Sequence, residues 1–198
     1  NTSDTPSTST RTLSLTVSDG SGGTSAPIVV TMAVVAVNDA PVFGGLNGAP
    51  VFTEGGAAVV LDADVTLADA ELTAADNFSG ATLTLSRQGG ANAEDALAFD
   101  GAVVTTSGAD VRVNGVLVGS YTFTGGELVV TFGAGATNAR VNALLQHIVY
   151  WNTSDTPPAS VQIAWSFRDG NTGAQGTGGA RTATGATTIT LTPTNDAP

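Results

Sequence analysis

Residues 1–6 read NTSDTP, and residues 152–157 read NTSDTP again. After the first copy the chain runs through RTLSLTVSDG (11–20) into a β-rich tail that ends VNDAP at 37–41. After the second it runs through VQIAWSFRDG (161–170) into a tail that ends TNDAP at 194–198. Asn1 matches Asn152, Asp19 matches Asp169 and Asn38 matches Asn195, so the offset grows from 151 at the motif to 157 at the end. An insertion in the last loop accounts for the drift. Self-similarity at a long period is the mark of a tandem array whose units end in the same strands and linker. Residues 1–41 therefore read as the C-terminal part of one repeat plus its linker, and 42–198 as one complete repeat ending in the next linker.

Between the two copies the pattern is that of strands and turns. In 11–17, Leu13, Leu15 and Val17 alternate with Thr12, Ser14 and Thr16, the period of two expected of a half-buried strand. Pro27–Val37 reads as a longer apolar strand after the turn at 18–23. About 40 residues do not bury enough surface to fold alone, so this hairpin needs partner strands or the following unit. Further strands are predicted at 51–54, 57–61, 81–85, 97–99, 102–105, 111–113, 116–123, 127–132, 148–151, 161–167 and 187–192. Asn114-Gly115 between valines is the strongest short hairpin signal. One helix is predicted: Thr137 caps a segment in which Val141, Leu144, Leu145 and Ile148 recur at i, i+3, i+4 and i+7. The fold class is all-β, an Ig/cadherin-like sandwich with one short helix.

Composition narrows the function. The 198 residues carry a net charge of −11, from 17 acids against six arginines and no lysine. Nucleic-acid binding is disfavoured, because phosphate contacts need a basic patch, whereas an acidic surface attracts cations. The absence of cysteine removes disulfides and thiolate metal sites. No signal peptide, lipidation site or long apolar run occurs, so no membrane insertion is expected in this segment. His147 is the only histidine and no G-x-S-x-G elbow accompanies it; the chain reads as non-enzymatic. Neither an EF-hand loop nor a glycine-rich nonapeptide run is present, so any calcium site must be assembled from separate loops.

The order ALLQHIVYWNTSDTP (143–157), a strand ending RDG (168–170), and a strand running into NDAP (195–198) resembles the cadherin-like repeats of giant bacterial surface adhesins, including those of RTX type. The stretch LDADVTLADAELTAADNFSGATLTL (61–85) resembles the acidic loop and Gly-Ala-Thr strand of the same repeats, which are also distantly similar to the chondroitin-sulfate-proteoglycan-type repeats of animal matrix proteins. The resemblance implies an exported spacer or adhesion module on a bacterial cell surface or in a secreted protein. Neighbouring repeats of the same chain would be its partners, with cell-surface proteins or glycans as the targets of adhesion, and Ca²⁺ would stiffen the junctions. In true cadherins the linker carries a further Asp and Asn around the NDAP-like core; Val37 stands where one acid is expected, which leaves the number of ions per junction open.

Calcium takes six to eight hard oxygens. In the cadherin-like arrangement the candidates at the first junction are Asn38 and Asp39 of the linker, Glu54 of the first strand, Asp69 and Glu71 of the acidic loop, and Asp19 of the preceding turn. Asp169, Asn195 and Asp196 would serve the next junction. The competing reading is that these residues close turns, since Asp and Asn bond their own backbone there; Asp62 and Asp64 divide evenly between the two. A rival function is a carbohydrate- or ligand-binding sandwich module, with Tyr150, Trp151, Trp165 and Phe167 as stacking candidates. Exposure of those rings beside the acidic loop would favour it, and burial between sheets would favour the spacer.

Overall fold

The computed structural model describes residues 2–195. The first copy of the repeat forms a two-stranded antiparallel hairpin, β1 (Arg11–Leu15) and β2 (Ile28–Met32). Irregular chain then leads through the linker to β3 (Val42–Gly44), β4 (Val51–Thr53), β5 (Val59–Val60), β6 (Thr66–Ala68) and helix α1 (Ala70–Ala75). Six strands follow: β7 (Thr82–Arg87), β8 (Asp95–Phe99), β9 (Val104–Ser107), β10 (Asp110–Val113), β11 (Val116–Thr124) and β12 (Glu127–Phe132). Helix α2 (Asn138–Gln146), β13 (Ile148–Asn152), β14 (Ser160–Arg168) and β15 (Thr182–Thr192) complete the chain.

Eight strands form one large sheet in the order β4-β15-β14-β7-β12-β11-β10-β9. Against it lie the three-stranded sheet β5-β13-β8, the pair β3-β6 and α2, making the all-β sandwich that the alternating pattern predicts. The inward residues of the large sheet, among them Leu83, Leu85, Leu128, Val130, Ile163, Trp165 and Phe167, are fully buried. They meet Leu61, Leu97, Val141, Leu144, Leu145 and Tyr150 from the opposite layer. Edge-to-face ring pairs, Phe43 with Trp165 at 6.2 Å and Phe78 with Phe167 at 6.1 Å, join the layers.

Several local expectations hold. Thr137 is the N-cap of α2, its hydroxyl accepting from the N–H of Arg140, and Val141, Leu144 and Leu145 are the buried stripe. Asn114 (φ 49°) and Gly115 (φ 78°) make the two-residue turn between β10 and β11, the left-handed pair that lets the strand twist continue.

Two readings need correction. There are two helices among the described residues and not one: Asp69 caps α1 inside what reads as an acidic loop, its Oδ1 accepting from the N–H groups of Glu71 and Leu72. The strand predicted over 27–37 ends at Met32, because Val34–Asn38 leaves the hairpin to run beside the loop after β14, where Val37 bridges Thr177 in parallel.

The sequence repeat is also a repeat of register. In the hairpin Arg11 faces Met32, Leu13 faces Val30 and Leu15 faces Ile28. In the complete unit Val161 faces Ile189, Ile163 faces Thr187 and Trp165 faces Gly185, which are the same pairs at offsets of 150 and 157.

Candidate junction site

Strand direction decides which residues meet. β14 and β15 are antiparallel, so the turn after Arg168 lies at one pole of the unit and the residues after Thr192 at the other. The eleven residues of β15 set the two poles about 34 Å apart. The linker that precedes the unit reaches the pole of the Arg168 turn.

There Asn38 is buried. Its Nδ2 donates to Asp169 Oδ2 at 2.7 Å and to the Gly179 carbonyl at 3.0 Å. Its backbone N–H donates to Thr177 O, and its carbonyl accepts from Arg181 Nε at 3.1 Å. Asp169 is fully buried and takes, besides Asn38, the N–H groups of Asn171 and Arg181. The backbone N–H of Asp39 points to Glu71 Oε2 at 3.4 Å. Asp69 presents Oδ1 to the first turn of α1, and its Oδ2 is left over.

The electrostatics follow from this crowding. Burial pushes the Asp69 carboxyl above its ordinary range, and the nearby charges of Asp169 and Asp39 push it the same way. Burial raises Glu71 too, reinforced by Asp69 and Asp39. Among the described residues, four buried side-chain oxygens have no hydrogen-bond partner: Asn38 Oδ1, Asp69 Oδ2, Glu71 Oε1 and Gln175 Oε1. Their owners form one connected group, since Gln175 Nε2 donates to the Asp169 carbonyl at 3.2 Å. Orphaned buried acceptors are costly, and lone pairs of this kind call for a donor or a cation.

No protein-family model matches the chain. No curated protein matches its sequence either.

The structure thus brings Asn38, Asp39, Asp69 and Glu71 near one another and places the other candidates elsewhere than expected. Asp169, assigned from sequence to the second junction, lies instead beside Asn38, because the turn that carries it is at the pole opposite the end of β15. Asp19 is excluded from the first junction for the same reason. It lies at the end of the hairpin away from Met32, exposed, with Oδ1 accepting from Ser21 and Gly23, and those backbone bonds hold its carboxyl below the usual range. Glu54 leaves the first group as well: β4 runs parallel to β15, and Glu54 Oε2 accepts from Thr194 N at 2.8 Å at the C-terminal pole. Asn195 follows there, and Asp196 lies outside the described residues. Asp62 serves its turn, accepting from Asn47, Gly48 and Asp64 N–H groups, while Asp64 is exposed.

Two contributors were not legible in the sequence. Gln175 comes from the inserted loop, and an amide in a Gly-rich run gives no signal of its own. Asp4, from the first NTSDTP, lines the hollow shared with Asp39, Asp69 and Ala70; the exact repetition of that motif was the available clue. Its counterpart Asp155 lines a cleft with Glu54, Asn152 and Thr194 at the other pole.

The candidate ligands are hard oxygens only, the type that calcium and other hard cations take. Among the described residues no three His, Cys, Asp or Glu side chains already stand at ligand positions. Two of the four orphaned oxygens belong to Asn38 and Gln175, which such a set does not include.

Proposed function

We propose that the chain is a structural spacer and adhesion repeat of a large bacterial cell-surface or secreted protein, non-catalytic, whose inter-unit linker is stiffened by Ca²⁺. One observation carries the reading: linker, α1 and the β14–β15 loop each present a buried oxygen without a partner at the place where one unit meets the next. Asn38 Oδ1, Asp69 Oδ2, Glu71 Oε1 and Gln175 Oε1 would supply ligands, with Asp39 and Asp4 completing the set from the linker side. A cation there removes the mutual repulsion of Asp69, Glu71 and Asp39 and ties the linker to the unit that follows it. The cadherin-like resemblance supports the same arrangement.

The carbohydrate-binding alternative loses its main support. Tyr150, Trp165 and Phe167 are each no more than 1% exposed and belong to the core. Trp165 also spends its indole N–H on Thr187 Oγ1 at 3.0 Å.

Calorimetry of the chain in EDTA and in millimolar calcium tests the proposal. Calcium is expected to raise the melting temperature by several degrees, and Glu71→Gln combined with Asp69→Asn is expected to abolish that rise. Identical melting curves in both buffers sink the calcium reading.

A further inference from the structure

Among the described residues, nothing covers the apolar face of the β1–β2 hairpin. Leu13, Leu15, Val17, Ile28, Val30 and Met32 are each at least half exposed, with Arg11 at the margin of that face opposite Met32, while Thr12, Ser14, Val29 and Thr31 form the opposite face. Six large apolar side chains in one contiguous patch are more than a monomeric surface ordinarily shows, and among the described residues β1 and β2 pair only with each other.

The second copy of the repeat shows what such a hairpin is built to meet. At the matching positions Ile163, Trp165, Phe167, Thr187 and Ile189 are buried. The edge of β14 is taken by β7, with Trp165 facing Leu85 and Phe167 facing Leu83, and the edge of β15 is taken by β4 in parallel. The apolar face is covered by Phe43 and Phe78 within the common core. Every one of these covering elements lies between residues 42 and 151, ahead of the second NTSDTP. The pairing register of the two hairpins is the same, so the same cover fits both.

We infer that the apolar face and both free edges of β1–β2 are the docking surface for a unit of the 42–151 type, carried by the protein N-terminal to Asn1. A β7-like strand with alternating leucines pairs antiparallel with β1, and a β4-like strand pairs parallel with β2. The inference rests on the tandem-unit part of the proposed function and is independent of calcium.

Amide hydrogen exchange in EDTA tests it, comparing the 198-residue chain with the protein extended N-terminally in its native sequence by a segment the length of 42–151. The amides of Leu13, Leu15 and Val30 are expected to exchange quickly in the shorter chain and to slow on the order of a thousandfold in the longer one. Leu15→Asp should cancel that protection while the amides of β14 keep theirs, and Thr12→Asp, on the polar face, should leave both intact. Three results overturn the inference: a hairpin that stays unprotected in the longer chain, protection already present in the shorter chain through pairing of two copies, or an upstream segment of a different fold. Because EDTA is present throughout, loss of the calcium effect and loss of this docking are read separately.

Discussion

Asp69 holds two roles in one carboxylate, and they separate by substitution. Oδ1 caps α1, while Oδ2 is a buried acceptor without a partner. Asp69→Ala also loses the cap and is expected to be about 1 kcal/mol less stable than Asp69→Asn with or without calcium. Asp69→Asn keeps an equivalent cap, so it is expected to lose the calcium-induced rise without the cap penalty; paired thermal melts in EDTA and calcium distinguish the two. The pH dependence has a definite sign. The folded-state carboxyls of Asp69 and Glu71 are raised, so the stability tied to their protonation is complete below the unfolded range near pH 4 and is lost as pH rises through their elevated values. In EDTA at neutral pH, Asp69→Asn is therefore expected to melt above the parent chain. That advantage should shrink to nothing on acidification through pH 4, where the parent carboxyl is neutral too. A difference that stays constant with pH would remove burial and repulsion as the cause.

The element that grips the linker is the loop from Asn171 to Ala180. The matching hairpin turn after Asp19 is seven residues shorter, so the drift in repeat offset is the trace of this loop. Thr177 donates its N–H to Ala36 O and accepts from Asn38 N, holding the linker in a short parallel bridge. Gly176 makes the approach possible: with φ at +124°, a Cβ there would stand 2.8 Å from the Ala36 carbonyl carbon and 3.0 Å from Asn38 N. Gly176→Ala is expected to cost about 1–3 kcal/mol from the backbone conformation and to release the linker. Exchange of the Asn38 amide should then speed up while amides of β14 remain protected. Unchanged exchange at Asn38 would show that the loop does not hold the linker. The helices differ in how readable they are. α2 has a cap and a full apolar stripe, whereas α1 spans six residues with Leu72 alone buried, too short for a period to show. The signal for α1 was an Asp ahead of Ala-Glu-Leu, and acids in a run read equally well as a loop.

Across the whole molecule, one ionic network ties the small sheet to the large one. Asp95 of β8 is fully buried and accepts from Arg87 Nε at 2.6 Å and Nη2 at 2.7 Å, from the Tyr150 hydroxyl at 2.7 Å and from Asn152 Nδ2 at 3.0 Å. Burial, and then the bond to Asp95, keeps the Tyr150 phenol well above its usual range. Asp95→Ala strands three donors at once. Arg87 still reaches solvent, with 22% of its side chain exposed, so the expected loss is about 2–3 kcal/mol, below that for a fully enclosed pair, and denaturant melts measure it. His147, without a sequence partner, is likewise paired in space, its Nδ1 lying 2.7 Å from Asp100 Oδ2. What the order of residues determined unaided was local and periodic: the alternation of the strands, the Asn114-Gly115 turn, the cap and stripe of α2, and the repetition of whole segments at one spacing. Each is set by neighbours within a few positions, or by simple identity of sequence. The grouping of Asp169 with Asn38, the removal of Asp19 and Glu54 to other poles, and the three-residue strands β3 and β6 were decided by tertiary structure alone. The reason is that an antiparallel pair returns the chain to where it began, so residues adjoining the same strand in sequence stand a whole strand length apart.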